Sequence, residues 1–388
     1  MGKWQEYAIG DIADVVGGGT PKTKVKDYWG DEIPWLTPRD LSNFSGRFIS
    51  KGERSITQKG LDNSSAKLLP KGTILLSSRA PVGYLAIAAN EVSTNQGFRN
   101  LVPNANVDNI FLYYLLKQNI DYLKSQATGT TFEELSGSIL KSLKFLIPPL
   151  PEQRAIADVL SALDDKIDLL HRQNQTLEAL AQTLFRQWFI EEADDDWEEI
   201  ILRDIADHIK INVNPQNFPE IIFHHYSIPA FDNGKTPVYE LGKEIKSNKY
   251  HVPEKSILIS KLNPRFPRVW MIQNEIKENS ICSTEFQVIA PKDPQYYCFI
   301  YLFLKSQYTS NKLISAASGT SGSHQRVKPD DIFNLSSLIR NKTQIEKFNQ
   351  EVSVMLEKIE ENRRQINTLA MLRDILLPKL ISGEVRVQ

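Results

Sequence analysis

The sequence predicts an α+β protein in which two similar mixed α/β domains are separated by two long helices. Two observations lead to this fold class. Short sequence matches recur in the same order at an offset of about 190 residues, which indicates a tandem duplication. Apolar residues then recur in steps of about four and three after each copy, which is typical of a coiled-coil seam. We expect the helices to pack antiparallel, with pseudo-two-fold symmetry between the copies.

The composition is typical of a folded globular protein. The chain has 388 residues, of which 41% are hydrophobic and 24% charged, and its formal net charge is −1. At roughly 100–200 residues per domain, this length predicts two or three domains. No apolar run approaches the ~18 residues of a membrane helix, and the N-terminus has no apolar stretch of signal-peptide length. The two widely spaced cysteines fit a reducing cytoplasm. The near-neutral charge argues against a free-standing, purely electrostatic nucleic-acid binder.

The duplication rests on matches that keep their order along the chain. Residues 10–14 match residues 203–207, and residues 73–77 match residues 256–260. Further matches pair Ser93-Thr94 with Ser283-Thr284, Phe111–Tyr113 with Phe299–Tyr301, Gly129-Thr130 with Gly319-Thr320, Arg172-Gln173 with Arg364-Gln365, and Thr176-Leu177 with Thr368-Leu369. The runs 73–77 and 256–260 are bounded by Gly, Pro or Lys, which predicts strands. Helices are expected near 109–124 and 295–311.

Four segments follow from this arrangement. Residues 1–149 and 194–340 are the two globular domains, and residues 150–193 and 341–388 are the two long helices. The first helix follows Pro148-Pro149-Leu150-Pro151, because proline is tolerated in the first turn of a helix. The second is expected to begin near Asn341, with Thr343 and Glu346 forming a capping box.

The two helical seams can be placed in register. The first comprises Ile156, Leu160, Leu163, Ile167, Leu170, Asn174, Leu177, Ala181, Leu184 and Trp188; the second comprises Ile345, Phe348, Val352, Met355, Ile359, Asn362, Ile366, Leu369, Arg373, Leu376 and Leu380. A buried asparagine needs a polar partner, so we expect Asn174 to face Asn362 in an antiparallel pair. Arg373 would then face Leu163, with its stem extended to water. The alternative is that the two helices lie separately on their own domains.

Signatures of catalysis are largely missing. There is no phosphate-binding G-x-x-x-x-G-K-[ST] loop and no H-E-x-x-H zinc motif. The run 17–21, Gly-Gly-Gly-Thr-Pro, is interpreted as a tight turn, with phosphate binding as the weaker alternative. An amino-methyltransferase would have an Asn/Asp-Pro-Pro-aromatic tetrapeptide, which the run 263–266 fails at its third position. The cysteines Cys282 and Cys298 are too far apart for a CxxC motif, so neither a disulfide framework nor a zinc site is expected.

Other polar clusters are interpreted as structural. His224 and His225 are adjacent, so they would point to opposite faces of a strand. The acidic run 194–196 is expected to be a solvated domain junction and not a metal cluster. We therefore predict no catalytic residue, no metal site and no cofactor.

Several short motifs accompany the duplicated layout. The segment 147–154, Ile-Pro-Pro-Leu-Pro-Glu-Gln-Arg, is specific in combination with that layout. The supporting strings are Trp35–Leu41, Ser77–Gly83, Ser93–Phe98, Ala127–Thr131 and Leu377–Val385. Together they resemble the specificity subunits of type I restriction-modification systems. The second copy departs from the pattern at 261–264 and at 341–344, which affects the transfer of single residues but not of the architecture.

This resemblance implies a DNA-binding subunit without catalytic activity. Each globular copy would be a target-recognition domain for one half of a split, asymmetric DNA sequence, and the helices would set the gap between the halves. Two modification subunits, which bind S-adenosylmethionine and methylate adenine at N6, would dock on the chain. Restriction subunits that hydrolyse ATP and cleave DNA would join them.

Candidate DNA-contacting residues are the basic and amide side chains of the loops, because Arg and Lys recognise guanine and Asn and Gln recognise adenine. In the first copy they are Arg39, Asn43, Arg47, Arg79, Asn95, Gln96 and Arg99; in the second they are Lys261, Asn263, Arg265, Arg268, His324, Gln325 and Arg326. The repeated Gly129-Thr130 and Gly319-Thr320 fit a backbone–phosphate contact or a turn better than base selection. About a third of these residues are expected to touch DNA.

Two other functions stay open at this level. The first is a duplicated coiled-coil scaffold that spaces two binding sites for ligands other than DNA. The second is a stand-alone enzyme of unknown type, which the missing motifs disfavour.

Overall fold

The structure is a computed structural model that describes residues 3–42, 44, 46–79, 81–129, 133–273, 279–317 and 325–387. It divides into two compact units: unit 1 is Met1–Leu169 with Gln365–Gln388, and unit 2 is Leu170–Arg364. Both long helices contribute residues to both units, so these units cut across the helical segments that the sequence predicts.

Unit 1 combines short strands with short helices. Its strands are β1 (Gln5–Ala8), β2 (Ala13–Gly17), β3 (Trp29–Leu36), β4 (Phe48–Ile49), β5 (Arg54–Ile56), β6 (Ile74–Ser78), β7 (Val82–Ala88), β8 (Ser93–Thr94), β9 (Phe98–Pro103) and β10 (Lys144–Ile147). Its helices are α1 (Ile9–Ile12), α2 (Pro38–Ser42), α3 (Gln58–Asp62), α4 (Asn109–Gln118), α5 (Ile120–Ser125), α6 (Gly137–Ser142) and the first part of α7 (Leu150–Arg186), with a 3₁₀ turn at Lys26–Tyr28.

The strands of unit 1 form a mixed sheet in the order β2-β9-β6-β7-β4, a smaller sheet β5-β3-β8 and a pair β1-β10. The central strand β6 is buried along its whole length. Its apolar side chains alternate between two cores, because successive side chains of a strand point to opposite faces. Ile74 and Leu76 pack with the helices, whereas Leu75 packs toward the smaller sheet.

Unit 2 repeats this arrangement. Its strands are β11 (Glu198–Ile201), β12 (Ala206–Ile209), β13 (Asn212–Val213), β14 (Ile222–Tyr226), β15 (Val238–Leu241), β16 (Lys249–His251), β17 (Ile257–Ser260), β18 (Val269–Met271), β19 (Ser280–Ser283), β20 (Phe286–Pro291) and β21 (Ser336–Ile339). Its helices are α8 (Leu202–Ile205), α9 (Ile228–Asp232), α10 (Tyr297–Lys305), α11 (Gln307–Ala316), α12 (Pro329–Phe333) and the first part of α13 (Lys342–Ile381). One-turn 3₁₀ segments lie at Pro215–Asn217, Gly242–Glu244 and Pro294–Tyr296, and α7 ends in a π-helical turn at Gln187–Glu191.

The sheets of unit 2 have the orders β12-β20-β17-β18 and β13-β16-β19-β14-β15, with a pair β11-β21. Strand β17 corresponds to β6 of unit 1. Strand β17 pairs with β20, which precedes α10, and β6 pairs with β9, which precedes α4. The duplication predicted from the sequence is therefore present in the topology.

In unit 1, the first part of α7 packs antiparallel to the last part of α13. Ile156 and Leu160 of α7 share a core with Leu377 and Leu380 of α13. In unit 2, Asn362 Nδ2 of α13 donates a hydrogen bond to Asn174 Oδ1 of α7 at 2.9 Å. The two asparagines thus share a layer, which is the register expected from the sequence.

Further along unit 2, the ring of Phe185 on α7 lies 6.0 Å from the ring of Phe348 on α13. Positions on α7 therefore rise in number as their partners on α13 fall, so the helix segments are antiparallel and do not lie separately. The predicted fold class, mixed α/β domains with two long antiparallel helices, is confirmed.

Three local expectations were wrong. The guanidinium of Arg373 does not extend to water: Nη1 donates to the buried Asp164, next to Leu163, at 2.8 Å. The cap of α13 is Asn341, whose Oδ1 accepts from Gln344 N at 3.0 Å, so Thr343 lies inside the helix.

The single helices predicted near residues 109–124 and 295–311 are each divided into two helices in the structure. Asn119 separates α4 from α5, and Ser306 ends α10 and caps α11.

The glycine-rich run of unit 1 permits close backbone packing. A Cβ on Gly18 would lie 2.0 Å from Asn95 O, and one on Gly19 would lie 2.3 Å from Ala66 N. Gly19 N donates to Thr94 O at 2.8 Å. Residues 18–22 adopt no turn, so the interpretation of this run as a tight turn was wrong. Within the described residues, no helix is long and apolar enough to cross a membrane.

Candidate nucleic-acid interface

In unit 1, three loop segments meet at the end of β6. Ser78 N donates to Gly97 O at 2.8 Å, and Leu135 N donates to Ser78 O at 2.9 Å. Arg79 forms a backbone bridge with Glu134. These contacts bring together the end of β6, the loop before β9 and the segment before α6. We call this meeting point the loop junction of unit 1.

Two arginines and one carboxylate occupy this loop junction. Arg99 Nη2 lies 2.7 Å from Glu134 Oε1, and Arg79 Nη1 lies 4.0 Å from Glu134 Oε2. The side chain of Arg79 is 38% exposed and that of Arg99 is 22% exposed. Glu134 is therefore held mainly by Arg99, and Arg79 keeps most of its hydrogen-bonding capacity for a ligand.

Unit 2 has a loop junction with the same backbone contacts. Lys261 N donates to Glu285 O at 2.8 Å, and Val327 N donates to Lys261 O at 3.0 Å. Leu262 forms a backbone bridge with Arg326. These contacts match those of Ser78, Gly97, Leu135, Arg79 and Glu134 in order. The backbone of the loop junction is therefore the same in both units.

The side chains at matching positions differ in charge. Arg326 stands where unit 1 has Glu134, and Glu285 stands where unit 1 has Gly97. Arg326 donates from Nη2 to Glu285 Oε1 at 2.8 Å and from Nε to Oε2 at 3.2 Å. Both units thus hold an arginine against a carboxylate, but from different backbone positions.

The remaining described candidates of unit 1 differ in their exposure and in their hydrogen bonds. Arg39 is exposed on α2, and Gln96 is exposed and accepts a hydrogen bond from Thr20. Asn95 is half-buried, and its Oδ1 accepts from Gly97 N at 2.9 Å, so it stabilises the turn before β9. Gly129 is exposed with φ of +134°, a conformation that favours glycine.

Arg47 must be removed from the candidates. Its side chain is 5% exposed, and its guanidinium donates to Ser161 at 2.8 Å and to Tyr114 at 3.2 Å. It also forms ion pairs with Asp164 and Asp165 of α7. A buried guanidinium with these partners anchors the loop to the helix and is not available to a base edge.

Some of the described candidates of unit 2 form contacts within the protein, and others are exposed. Arg265 is exposed, whereas Arg268 makes a bidentate ion pair with Asp232 at 2.7 and 2.8 Å. Asn263 has φ of +53°, and its N donates to Gln325 O at 2.8 Å. Lys261 and Gln325 are half-buried, so Arg265 and Arg326 are the most exposed of this set.

Five candidates lie outside the described residues: Asn43, Thr130, Gly319, Thr320 and His324. The candidates drawn from the sequence did not include Glu134 and Glu285, the carboxylates of the two loop junctions. Glu134 lies 35 residues from Arg99, and Glu285 lies 41 residues from Arg326. A pattern of short spacing could not have identified them.

The histidines support a structural interpretation. Burial and the nearby Lys210 lower the pKa of His208, whose ring stacks on Phe333. Burial also lowers the pKa of His225, although its contact with Glu240 opposes this shift. In the part of the chain that the structure describes, no group of His, Cys, Asp or Glu could hold a metal ion. Cys282 and Cys298 are free and buried.

Two copies of one mixed domain, with one backbone geometry and different polar side chains at the loop junctions, define a duplicated binding protein. Comparison with known proteins gives the family. Residues 1–179 match the family model for the type I restriction modification DNA specificity domain. The type I restriction enzyme MjaIX specificity subunit of Methanocaldococcus jannaschii is 37% identical, over 99% of this chain and 94% of that protein.

A second relative, the type I restriction enzyme HindI specificity subunit of Haemophilus influenzae, is 23% identical over 99% of this chain and 100% of its own length. The crystal structure of the type I restriction-modification S subunit from M. genitalium has the same fold, with a TM-score of 0.65, 17% identity and coverage of 97% and 96%. This chain belongs to the family of type I restriction-modification specificity subunits. This family consists of DNA-specificity subunits and not of enzymes. It also gives no support to the alternative of a duplicated scaffold that binds ligands other than DNA.

Proposed function

We propose that each globular domain of this specificity subunit recognises one half of a split, asymmetric DNA sequence. The recognition domains would be residues 1–149 and 194–340, and the spacers would be residues 150–193 and 341–388. The observation that carries this proposal is the pair of loop junctions. Their backbone contacts agree, whereas their side chains differ in type and charge. Two related domains with different contact residues suit two half-sites of different sequence.

Within each domain, the exposed candidates are the best placed to contact DNA. In unit 1 they are Arg39 and Gln96, with the partly exposed Arg79, and in unit 2 they are Arg265 and Arg326. Arg99, Lys261, Asn263, Arg268 and Gln325 are more enclosed and support the loops. Gly129 would bring its backbone near a phosphate, a contact that positions the protein without selecting sequence.

The partners follow from the family. Two modification subunits would dock on the chain, bind S-adenosylmethionine and methylate adenine at N6. Restriction subunits would join them and cleave DNA in an ATP-dependent reaction. The chain itself would supply no catalytic residue, metal or cofactor, and the complex would act on DNA in the cytoplasm.

The spacing of the half-sites follows from helix geometry. A helical seam from residue 156 to residue 188 would span roughly 50 Å at about 1.5 Å per residue. Half-sites on one face of B-DNA lie about 34 Å apart, or a multiple of that distance. Recognition loops that extend by several Å toward the middle of the seam would bring their separation close to one turn of DNA. One heptad added to or removed from the seam, about 10 Å, should change the preferred gap by a few base pairs at most.

The near-neutral charge of the chain predicts how it binds. With a net charge of −1, the isolated chain neutralises few phosphates, so its DNA binding should be weak and sensitive to salt. Binding should become tight and specific after the modification subunits are added. Equally tight binding without them would contradict this role.

The decisive experiment is to map N6-methyladenine across the genome of cells with and without this chain. We expect a split motif that disappears when the chain is deleted. If no motif depended on the chain, the proposed function would be wrong. A methyl-transfer assay on the isolated chain is the control, and it should show no activity.

A further inference from the structure

Both loop junctions place an arginine beside a carboxylate, but the two residues come from different backbone positions in each unit. In unit 1, the partly exposed Arg79 follows β6, and the nearby carboxylate of Glu134 comes from the segment before α6. In unit 2, the arginine comes from the segment before α12, and its partner Glu285 precedes β20. The arginine–carboxylate pair is thus kept while the backbone positions that supply it change. A pair kept in this way indicates a shared task.

In each unit an arginine fixes the carboxylate, and a guanidinium beside that carboxylate remains accessible. In unit 2, two parallel hydrogen bonds join Arg326 to Glu285, and the arginine side chain is still 57% exposed. In unit 1, Arg99 holds Glu134 from one side at 2.7 Å, while Arg79 lies 4.0 Å away on the other. Fixing the carboxylate limits the orientations of the arginine before a ligand arrives.

An arginine beside a carboxylate is complementary to the edge of a G·C base pair. A guanidinium donates two hydrogen bonds to guanine O6 and N7, and a carboxylate accepts one from cytosine N4. A phosphate offers acceptors alone, and a neighbouring carboxylate would repel it. The pair therefore favours a base edge over the DNA backbone.

We infer that Arg79 of unit 1 and Arg326 of unit 2 each recognise the guanine of a G·C pair, one in each half-site. Glu134 with Arg99, and Glu285, are positioning residues that orient these arginines. This inference rests on the proposed function and deepens it, because it assigns a base pair to one location in each domain.

The test maps N6-methyladenine after expression of the chain with its modification subunits. The variants are Arg79→Ala, Arg79→Lys, Arg326→Ala and Arg326→Lys. Each should relax one G·C position of one half-site by about tenfold or more and leave the other half-site unchanged. Lysine should restore the selection only in part, because it can donate to guanine but lacks the rigid planar fork of arginine.

Arg203→Ala is the matched control. Arg203 is a half-exposed arginine of α8 in unit 2, and it lies 3.6 Å from Asp330 and not in the pair with Glu285. Its replacement should leave the motif unchanged. The positioning variant Glu285→Gln should weaken selection at the position affected by Arg326→Ala, and co-purification with the modification subunits shows that each variant is folded.

Two outcomes separate the inference from the proposed function. A uniform fall in methylation with an unchanged motif, restored by lysine, would assign these arginines to phosphates and overturn the inference alone. A wild-type motif without a G·C pair in either half would also overturn it. If the wild-type chain directed no motif at all, the proposed function itself would fail.

Discussion

The two units differ in the charged groups that lie between their loops and the long helices. In unit 1, the segment after α2 contributes Arg47, which is buried against Asp164 and Asp165 of α7. In unit 2, the segment after α9 contributes Lys235, whose amine lies over the ring of Phe231 at 4.8 Å. An arginine stays charged at any physiological pH, whereas a buried lysine can lose its proton. We therefore expect the same region of a duplicated fold to respond differently to pH in each copy.

The acids of the two clusters are also held differently. Asp164 accepts hydrogen bonds from Tyr114 at 2.7 Å and from Arg373 at 2.8 Å. Burial alone would raise the pKa of Asp164, but these hydrogen bonds and charges outweigh it, so the pKa is lowered. In unit 2, Glu178 accepts from Tyr301 at 3.2 Å and pairs with Lys305. Unit 1 thus encloses a carboxylate between two arginines, and unit 2 encloses one beside a lysine.

The largest expected effect comes from removing the acid of unit 1. Asp164→Ala should lower the free energy of unfolding of unit 1 by about 3–5 kcal/mol, because it leaves Arg47 and Arg373 buried without this partner. The lowered pKa of Asp164 means that its stabilisation is present above its unfolded pKa near 3.8 and is lost as pH falls through the folded value. The variant should therefore lose part of the acid sensitivity of the wild type.

Hydrogen exchange, followed from neutral to acid pH, measures this effect in unit 1 alone. Asp165→Ala is the control, because the side chain of Asp165 is 69% exposed and its loss should cost less than about 1 kcal/mol. Equal costs for the two variants would show that the buried cluster does not stabilise the junction.

A smaller effect is expected at the asparagine pair of unit 2. Asn174→Leu should cost about 1–3 kcal/mol, because Asn362 is fully buried and would lose its hydrogen-bond partner. The double variant with leucine at both positions should recover most of this cost and weaken the choice of register. Thermal unfolding of the single and double variants gives the coupling energy, and additive costs would contradict a direct pair.

The smallest expected effect is an increase in the free energy of unfolding of unit 2. Burial of the Lys235 amine, with Lys305 and Arg363 nearby, lowers its pKa from 10.5 to about 7, although Glu178 and Glu360 oppose the shift. The unfolded state then binds more protons between about pH 7 and 10.5, so the stability of unit 2 rises with pH across this window. Lys235→Met should stabilise unit 2 by about 1 kcal/mol below pH 7, and by less as pH rises.

Unfolding of wild type and Lys235→Met by denaturant at pH 6.5 and pH 9 tests this expectation. Lys243→Met serves as the control, since Lys243 is an exposed lysine of the same unit. A gain from Lys235→Met that did not change between the two pH values would mean that the amine does not titrate in this window.

Much of the architecture was predictable because it depends on local periodicity. The alternating steps of the seams and their single asparagines predicted antiparallel helices with Asn174 opposite Asn362, and the structure has this pair. The repeated matches predicted two related domains. Helix ends were less predictable: Asn341 caps α13 where Thr343 was expected, because neighbouring polar residues compete for the same role.

The sequence by itself determined the duplication, the helical seams and the family. Only the tertiary structure decided which polar residues remain exposed. Arg47 and Arg79 are both loop arginines, yet one is 5% exposed and the other 38%. The difference arises from partners distant in the chain, Asp164 for Arg47 and Glu134 for Arg79. Burial and charge pairing depend on such long-range contacts, and no local pattern encodes them.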